Sequence, residues 1–137
     1  MTLKTQLDAY CRAFNSRSLE GALALFADHA VFELPLLGQR LFGKPEIAAG
    51  LARIFAVTES AELSVSTAAE SDRVLIAEGR LDAKLHRDPK PVEMTAAVTL
   101  EARDGKIARL STYLDARPYR LWSDGPIFAG VQSGAPS

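Results

Sequence analysis

The sequence predicts an α+β domain in which N-terminal helices pack on one face of a curved antiparallel sheet. Three observations carry this expectation. Apolar residues recur at helical spacing in the first part of the chain, the period drops to two after Thr58, and turn signals cut the later part into a meander. The chain has 137 residues, enough for one domain and too few for two ordinary ones. A domain of that size buries roughly two thirds of its unfolded surface, so it needs no disulfide or metal staple.

The elements follow in order. Leu3, Leu7, Cys11 and Phe14, with Tyr10 beside them, predict a first helix over 2–16, started by Thr2 or Thr5. The run Asn15-Ser16-Arg17-Ser18 breaks it, and Ser18 can cap a second helix carrying Leu19, Leu23 and Phe26 that ends near Ala27-Asp28-His29. His29 would neutralise that helix's C-terminal end. Ala30 to Leu34 reads as a short strand closed by Pro35, and Leu36 to Gly43 as a loop. Lys44-Pro45-Glu46 opens a third helix whose apolar stripe is Ile47, Leu51, Ile54 and Phe55.

Strands then run from Glu62 to Ala69, Arg73 to His86, Val92 to Ala102 and Ile107 to Asp115. Glu70-Ser71-Asp72 and Arg87-Asp88-Pro89-Lys90 are turns, and Asp104-Gly105 is a strong hairpin signal. In the Arg73–His86 strand, Leu75, Ala77, Leu81, Ala83 and Leu85 point one way, while Glu78, Arg80, Asp82, Lys84 and His86 point the other. Beyond Pro118, the side chains of Tyr119, Leu121, Trp122, Ile127 and Phe128 are too apolar for a free tail and should dock. The expectation is one domain over 1–128 with a flexible tail over 129–137.

Composition excludes several classes. With 16 basic and 17 acidic side chains, the net charge of −1 offers no footprint for nucleic acid or an anionic membrane. One cysteine, Cys11, rules out an intrachain disulfide framework and makes a cytoplasmic location the default. No apolar run approaches the roughly 18–20 residues of a membrane span, and the N-terminus lacks a signal-peptide apolar block. There is no phosphate loop, nucleophile elbow or zinc-binding pattern, and His29, His86 and Cys11 are not expected to form a metal site. The chain is 47% apolar with a mean hydropathy of +0.01, high for a small domain with a polar surface. That surplus points to a pocket or an interface.

Several segments resemble one superfamily: Tyr10-Cys11-Arg12-Ala13-Phe14-Asn15, Leu19-Glu20-Gly21, Ala24-Leu25-Phe26-Ala27-Asp28 and Ala30-Val31-Phe32-Glu33-Leu34-Pro35. The helix start Gly43-Lys44-Pro45-Glu46-Ile47 and the hairpin Asp104-Gly105-Lys106-Ile107 before Tyr113-Leu114-Asp115 join them. Together they resemble the nuclear transport factor 2-like superfamily, which includes SnoaL-like polyketide cyclases, ketosteroid isomerase and limonene epoxide hydrolase. The resemblance spans about residues 2 to 118. It implies a cone-shaped α+β barrel (cystatin-like), its curved antiparallel sheet wrapped around the N-terminal helices over an apolar pocket. The fold hosts many activities.

Tyr10 matches the oxyanion-hole tyrosine of the ketosteroid isomerases, but their general-base aspartate falls on Leu34 and their protonated aspartic acid near Val98. Without both carboxyls, steroid isomerisation by that route is not expected. Ile54-Phe55-Ala56-Val57 and Arg80-Leu81-Asp82 resemble the third helix and Arg-x-Asp strand of limonene epoxide hydrolase. The resemblance then makes Asp82 the acid and Arg80 its orienting cation. The water-activating aspartate falls on Thr112, and the water-holding tyrosine and asparagine on Val31 and Glu33, leaving Glu33 for the base role.

The resemblance thus implies cofactor-free acid/base chemistry, with no metal, on a small hydrophobic molecule, epoxide hydration foremost. Asp82, Arg80 and Glu33 are the catalytic candidates, and Tyr10, Ile54, Met94, Val98, Leu110, Thr112 and Leu114 the substrate-binding ones. The alternatives are a non-catalytic hydrophobic-ligand-binding domain and a cyclase- or isomerase-like activity. Arg80 and Asp82 share a strand face, which either lines the pocket or is a solvated charged face, as Glu78, Lys84 and His86 beside them favour. A homodimer is expected from the resemblance and from the apolar face of the Arg73–His86 strand. In that picture Leu75, Leu81 and Leu85 meet a subunit interface while Met94 and Val98 form the pocket wall.

Overall fold

Helix α1 (Leu3–Asn15) begins where its cap requires: the Thr2 hydroxyl accepts a hydrogen bond from the Thr5 amide at 3.0 Å. The computed structural model to which it belongs describes residues 2–88, 90–115 and 117. Leu3, Leu7, Tyr10 and Phe14 turn the predicted stripe into the core, and Cys11 sits half-buried at its margin.

Helix α2 (Leu19–Leu23) is capped by Ser18, whose hydroxyl accepts from the Gly21 amide. It stops short of the expected Asp28, because strand β1 (Phe26–Leu34) starts at Phe26. Phe26 is fully buried, edge-on to Tyr10 and Phe32, and it pairs in parallel with Ile107. Tertiary packing thereby overrides a helical spacing that continued through it. His29 consequently lies exposed on a strand and not at a helix end.

The expected loop after Pro35 also holds more structure. A 3-10 turn, Pro35–Leu37, leads through Gly38 in the left-handed region into strand β2 (Gln39–Phe42), which forms a hairpin with β1. Helix α3 (Gly43–Val57) buries Ile47, Leu51 and Ile54. At its start the Glu46 carboxylate accepts from the Phe42 amide at 3.0 Å. At its end Thr58 Oγ1 donates to the Ile54 carbonyl at 2.6 Å, and the Arg17 guanidinium donates to the Phe55 and Thr58 carbonyls while lying over the Phe55 ring.

Strands β3 (Thr58–Glu70), β4 (Val74–Leu85), β5 (Val92–Arg103) and β6 (Lys106–Leu114) complete a six-stranded sheet of order β2-β1-β6-β5-β4-β3. Only the β1–β6 pair is parallel. Strand β3 starts at Thr58, earlier than the expected Glu62. It is a sheet edge, and the Asn15 amide covers part of it, donating to the Leu63 carbonyl and accepting from the Leu63 amide. Asp104 and Gly105 both take positive φ, 53° and 76°, the conformation the tight hairpin needs.

Register corrects one expectation. Leu75 lies opposite Leu100, Ala77 opposite Val98 and Leu81 opposite Met94. Directly paired residues share a face, so the two apolar sets that were assigned to an interface and a pocket wall form one continuous inner surface. The apolar face of β4 is therefore no argument for a homodimer. The segment carrying Tyr119, Leu121, Trp122, Ile127 and Phe128, the 128/129 boundary and the tail lie outside the described residues. Among the described residues, no helix is long and apolar enough to cross a membrane.

Candidate functional site

The inner surface is not filled evenly. Toward the β5–β6 hairpin, Leu7, Leu100, Ile107 and Leu110 are fully buried, and Gln6 of α1 donates to the Gly105 carbonyl at 2.9 Å. Toward the other end an apolar cavity of about 60 Å³ lies between the C-terminal half of α1, α3 and the sheet. Tyr10 and Phe14 of α1, Phe32 and Leu34 of β1, Ile54 of α3, Leu81 of β4, Met94 of β5 and Thr112 and Leu114 of β6 contribute to its wall.

Of the expected substrate-binding residues, Tyr10, Ile54, Met94, Thr112 and Leu114 meet at this cavity. Val98 and Leu110 do not line it; they lie in the solidly packed region, 1% and 0% exposed. Phe32, Ala61 and Ala83 line the cavity without having been singled out, and Leu81, expected at a subunit interface, lines it as well. Their alternation along β1, β3 and β4 was the available signal, but alternation names a face and not the side that faces a void.

Three hydroxyl side chains stand in an otherwise hydrocarbon wall: Tyr10, Thr58 and Thr112. Thr58 is committed, donating to Ile54 and accepting from Arg17. Tyr10 and Thr112 are 2% and 8% exposed, and neither hydroxyl hydrogen-bonds to any described residue. Burial, with a smaller contribution from Cys11, drives the Tyr10 pKa far above its ordinary value, so the phenol stays protonated. Among the described residues no carboxylate, imidazole or ammonium group lines the cavity.

The three expected catalytic residues lie on the opposite face of the sheet. Arg80 Nε donates to Asp82 at 3.0 Å, and both side chains are substantially exposed. Asp82 borders a surface groove with Arg17, Glu62, Lys84 and Glu93. The reason is again alternation: Leu81 and Ala83 point inward, so Arg80 and Asp82 point outward.

Glu33 is 7% exposed but equally outward, between the inward Phe32 and Leu34. One carboxylate oxygen accepts from Arg109 Nη1 at 3.0 Å and Ser111 Oγ at 2.6 Å; the other accepts from Arg40 Nε at 2.8 Å. Arg109 also donates to Glu101. Burial alone would raise the Glu33 pKa, but the bonds from Ser111, Arg40 and Arg109 outweigh it and hold the carboxyl below its ordinary value. Asp82 and Glu33 therefore belong to two separate charged clusters, and neither reaches the cavity wall. Among the described residues there is no grouping of three or more His, Cys, Asp or Glu side chains able to hold a metal ion.

The sequence pattern of the SnoaL-like domain matches residues 7–110, from Leu7 within the α1 stripe into β6. The chain belongs to the SnoaL-like domain family. No curated protein matches it significantly in sequence. Solved structures similar to this SnoaL-like domain agree with the cone-like architecture. A protein with a ketosteroid isomerase-like fold from Catenulispora acidiphila, solved with trimethylamine, is 19% identical, with a TM-score of 0.81 over 92% of this chain and 97% of its own. A candidate polyketide cyclase from Xanthomonas campestris is 21% identical, with a TM-score of 0.76 over 85% and 92% of the two chains. TerC, co-crystallised with polyporic acid, is 19% identical, with a TM-score of 0.76 over 86% and 95%. At these identities the likeness is one of fold. As a SnoaL-like domain, the chain has the scaffold of a small-molecule-binding or isomerase/cyclase-type protein.

Proposed function

We propose that this SnoaL-like domain binds a small apolar molecule in the cavity between α1, α3 and the inner face of the sheet. One observation carries the reading: the void is walled almost wholly by hydrocarbon and aromatic side chains, with the hydroxyl residues Tyr10, Thr58 and Thr112 as its few polar members among the described residues. An apolar site with a few placed polar groups is the usual form of a ligand pocket. Solved neighbours carrying trimethylamine and co-crystallised with polyporic acid are in keeping with small-molecule binding in general.

Binding is favoured over epoxide hydration by where the acids lie. Hydration needs an acid and a water-activating base within one water of the substrate. Asp82 is paired with Arg80 on the outer face, and Glu33 is neutralised by two arginines. A cyclase- or isomerase-type reaction in which Tyr10 donates to a developing oxyanion remains compatible with the cavity, but the base would have to come from the substrate, from water or from residues outside those described.

Native mass spectrometry and solvent extraction of the purified protein test binding: a stoichiometric apolar molecule is expected, and an empty protein that takes up no member of a hydrophobic-compound library refutes the reading. Turnover assays on epoxides, lactones and enolisable ketones test catalysis. The homodimer rests on family resemblance, and sedimentation at micromolar concentration checks it.

A further inference from the structure

We propose that the open edge of β3 binds an extended peptide, adding it to the sheet as a further strand, and that the peptide carries a basic residue at each end of a short uncharged middle. The surface is separate from the cavity and does not depend on what the cavity holds.

The main chain is the first part of the argument. β3 closes one side of the sheet and runs for 13 residues, Thr58–Glu70. Only its first half is shielded. Arg17 donates to the Thr58 carbonyl, and the Asn15 amide bonds both the amide and the carbonyl of Leu63. The Leu63 main-chain groups therefore face away from β4, and two residues on, those of Val65 do the same. Past Leu63, no described residue bonds to this outer side. Ser64 and residues 66–70 are exposed. A row of unpaired amides and carbonyls is a template for another strand.

The usual guards are sparse. Edge strands are commonly kept apart by short length, proline or charge. Between Glu62 and Glu70 this strand holds neither a charge nor a proline. One bulge interrupts it, where Ser66 is inserted between the Val65–Gly79 and Thr67–Glu78 pairs. A bulge bends and twists the strand locally. A flexible peptide can follow that bend more readily than the preformed edge of another folded sheet.

Charge selects the partner. Glu59, Glu62 and Glu70 are exposed, make no ion pair among the described residues, and share β3 with no basic residue. Pairing β3 with the same strand of a second copy would line like charges along one edge, which is destabilising. The nearby cations leave the open stretch acidic. Arg80, opposite Ser64, is held by Asp82 and Glu93; Lys84 lies opposite Ser60 at the shielded end; Arg73 follows Asp72 in the turn beyond Glu70. Glu62 and Glu70 thus bracket the open stretch, roughly 25 Å apart at the usual strand rise. Lysine or arginine at that spacing meets both. Main-chain bonds then supply affinity, and the two charge pairs supply selectivity.

The test is an NMR titration of the full ¹⁵N-labelled chain with a blocked peptide of alternating threonine and valine that has a lysine at each end, spanning the two glutamates. One control peptide has glutamate at both ends, and another keeps the lysines but is N-methylated at alternate residues. Saturable shifts centred on 64–70 are expected with the lysine peptide, together with slower hydrogen exchange of the Val65 amide. Neither control should bind. The double variant Glu62→Lys/Glu70→Lys, both positions exposed, should weaken binding by about five-fold, the scale of two exposed charge pairs. Val65→Pro removes an outward N–H without touching the β3–β4 ladder and should abolish binding; if that variant does not fold, the N-methylated peptide decides. The proposal is overturned if the lysine peptide does not bind, if N-methylation leaves its affinity unchanged, or if the shifts lie away from 64–70. It is also overturned if sedimentation shows a dimer that Glu62→Lys/Glu70→Lys or Val65→Pro dissociates, because a second copy then fills the edge.

Discussion

The two faces of this sheet are made by the same strands and alternate residue by residue, yet they solve opposite problems. Inward, Phe32, Leu34, Leu81, Met94 and Leu114 surround a void with no ionic group among the described residues. Outward, Glu33, Arg40, Glu101, Arg109 and Ser111 form a hydrogen-bonded charge network, with the Arg80–Asp82 pair on neighbouring β4. The charges sit where partners and water can satisfy them, and the hydrocarbon sits where a void can be tolerated dry. Reactive residue types therefore do not mark the candidate site. The site is marked by an apolar wall that carries no ionic group among the described residues.

Substitutions can break this contrast in graded ways. The largest effect should come from the packed end of the inner face. Leu110 is fully buried, and Leu110→Ala should cost about 3 kcal/mol, the middle of the range for such truncations, read as a lower denaturant midpoint. An effect well below 1 kcal/mol would mean that this end is as loose as the cavity end.

Next comes the outer network. Glu33→Ala removes the acceptor shared by Arg40, Arg109 and Ser111 and should cost about 2 kcal/mol, less than a fully buried pair because Arg109 keeps Glu101 and both arginines keep partial contact with water. Because pairing lowers the Glu33 pKa in the folded state, its contribution is complete above the ordinary carboxylate range. It fades as pH falls through the depressed folded value. Chemical denaturation between pH 7 and pH 2 should show a steeper acid loss in the wild type than in Glu33→Ala; parallel curves would mean that Glu33 is not ionised by its partners.

Filling the void should separate binding from stability. Ala83 lines the cavity, and Ala83→Leu should reduce ligand uptake ten-fold or more, while stability changes by under about 2 kcal/mol. Uptake that survives the substitution would move the ligand site elsewhere. The smallest effect is expected at Asp82→Asn. Stability should shift by under about 0.5 kcal/mol, since exposed pairs contribute little, and ligand uptake should be unchanged. A large loss of turnover on any substrate would restore the acid role that the Arg-x-Asp resemblance suggested.

How much was legible varies by element. The α1 stripe, α3, the Asp104–Gly105 hairpin and strands β4 to β6 follow from spacing, because their local preferences and burial agree. The misread stretches are 24–29 and 36–42, on either side of the correctly read strand Ala30–Leu34. Phe26 fits the second helix by spacing and joins β1 because of α1 and β6, which are distant in sequence; Gln39–Phe42 reads as a loop and pairs with β1. Five of the seven expected substrate-binding residues reach the cavity, since core and pocket wall share one face.

The sequence by itself determined the order of elements, the period-two alternation and therefore the separation of Leu81 from Asp82. It also determined that a neutral chain with an apolar surplus would keep a hydrophobic interior. Which side of β4 looks inward could not be read locally, because both readings satisfy the same alternation. Only strand register and the seat of α1 decided it. Pairing Leu81 with Met94 and Leu75 with Leu100 joins the apolar faces under the helices and turns the charges out. The unfilled space beside Tyr10 and Thr112 depends on how α1, α3 and the sheet pack together. That packing is a property of the whole structure and is written in no single segment.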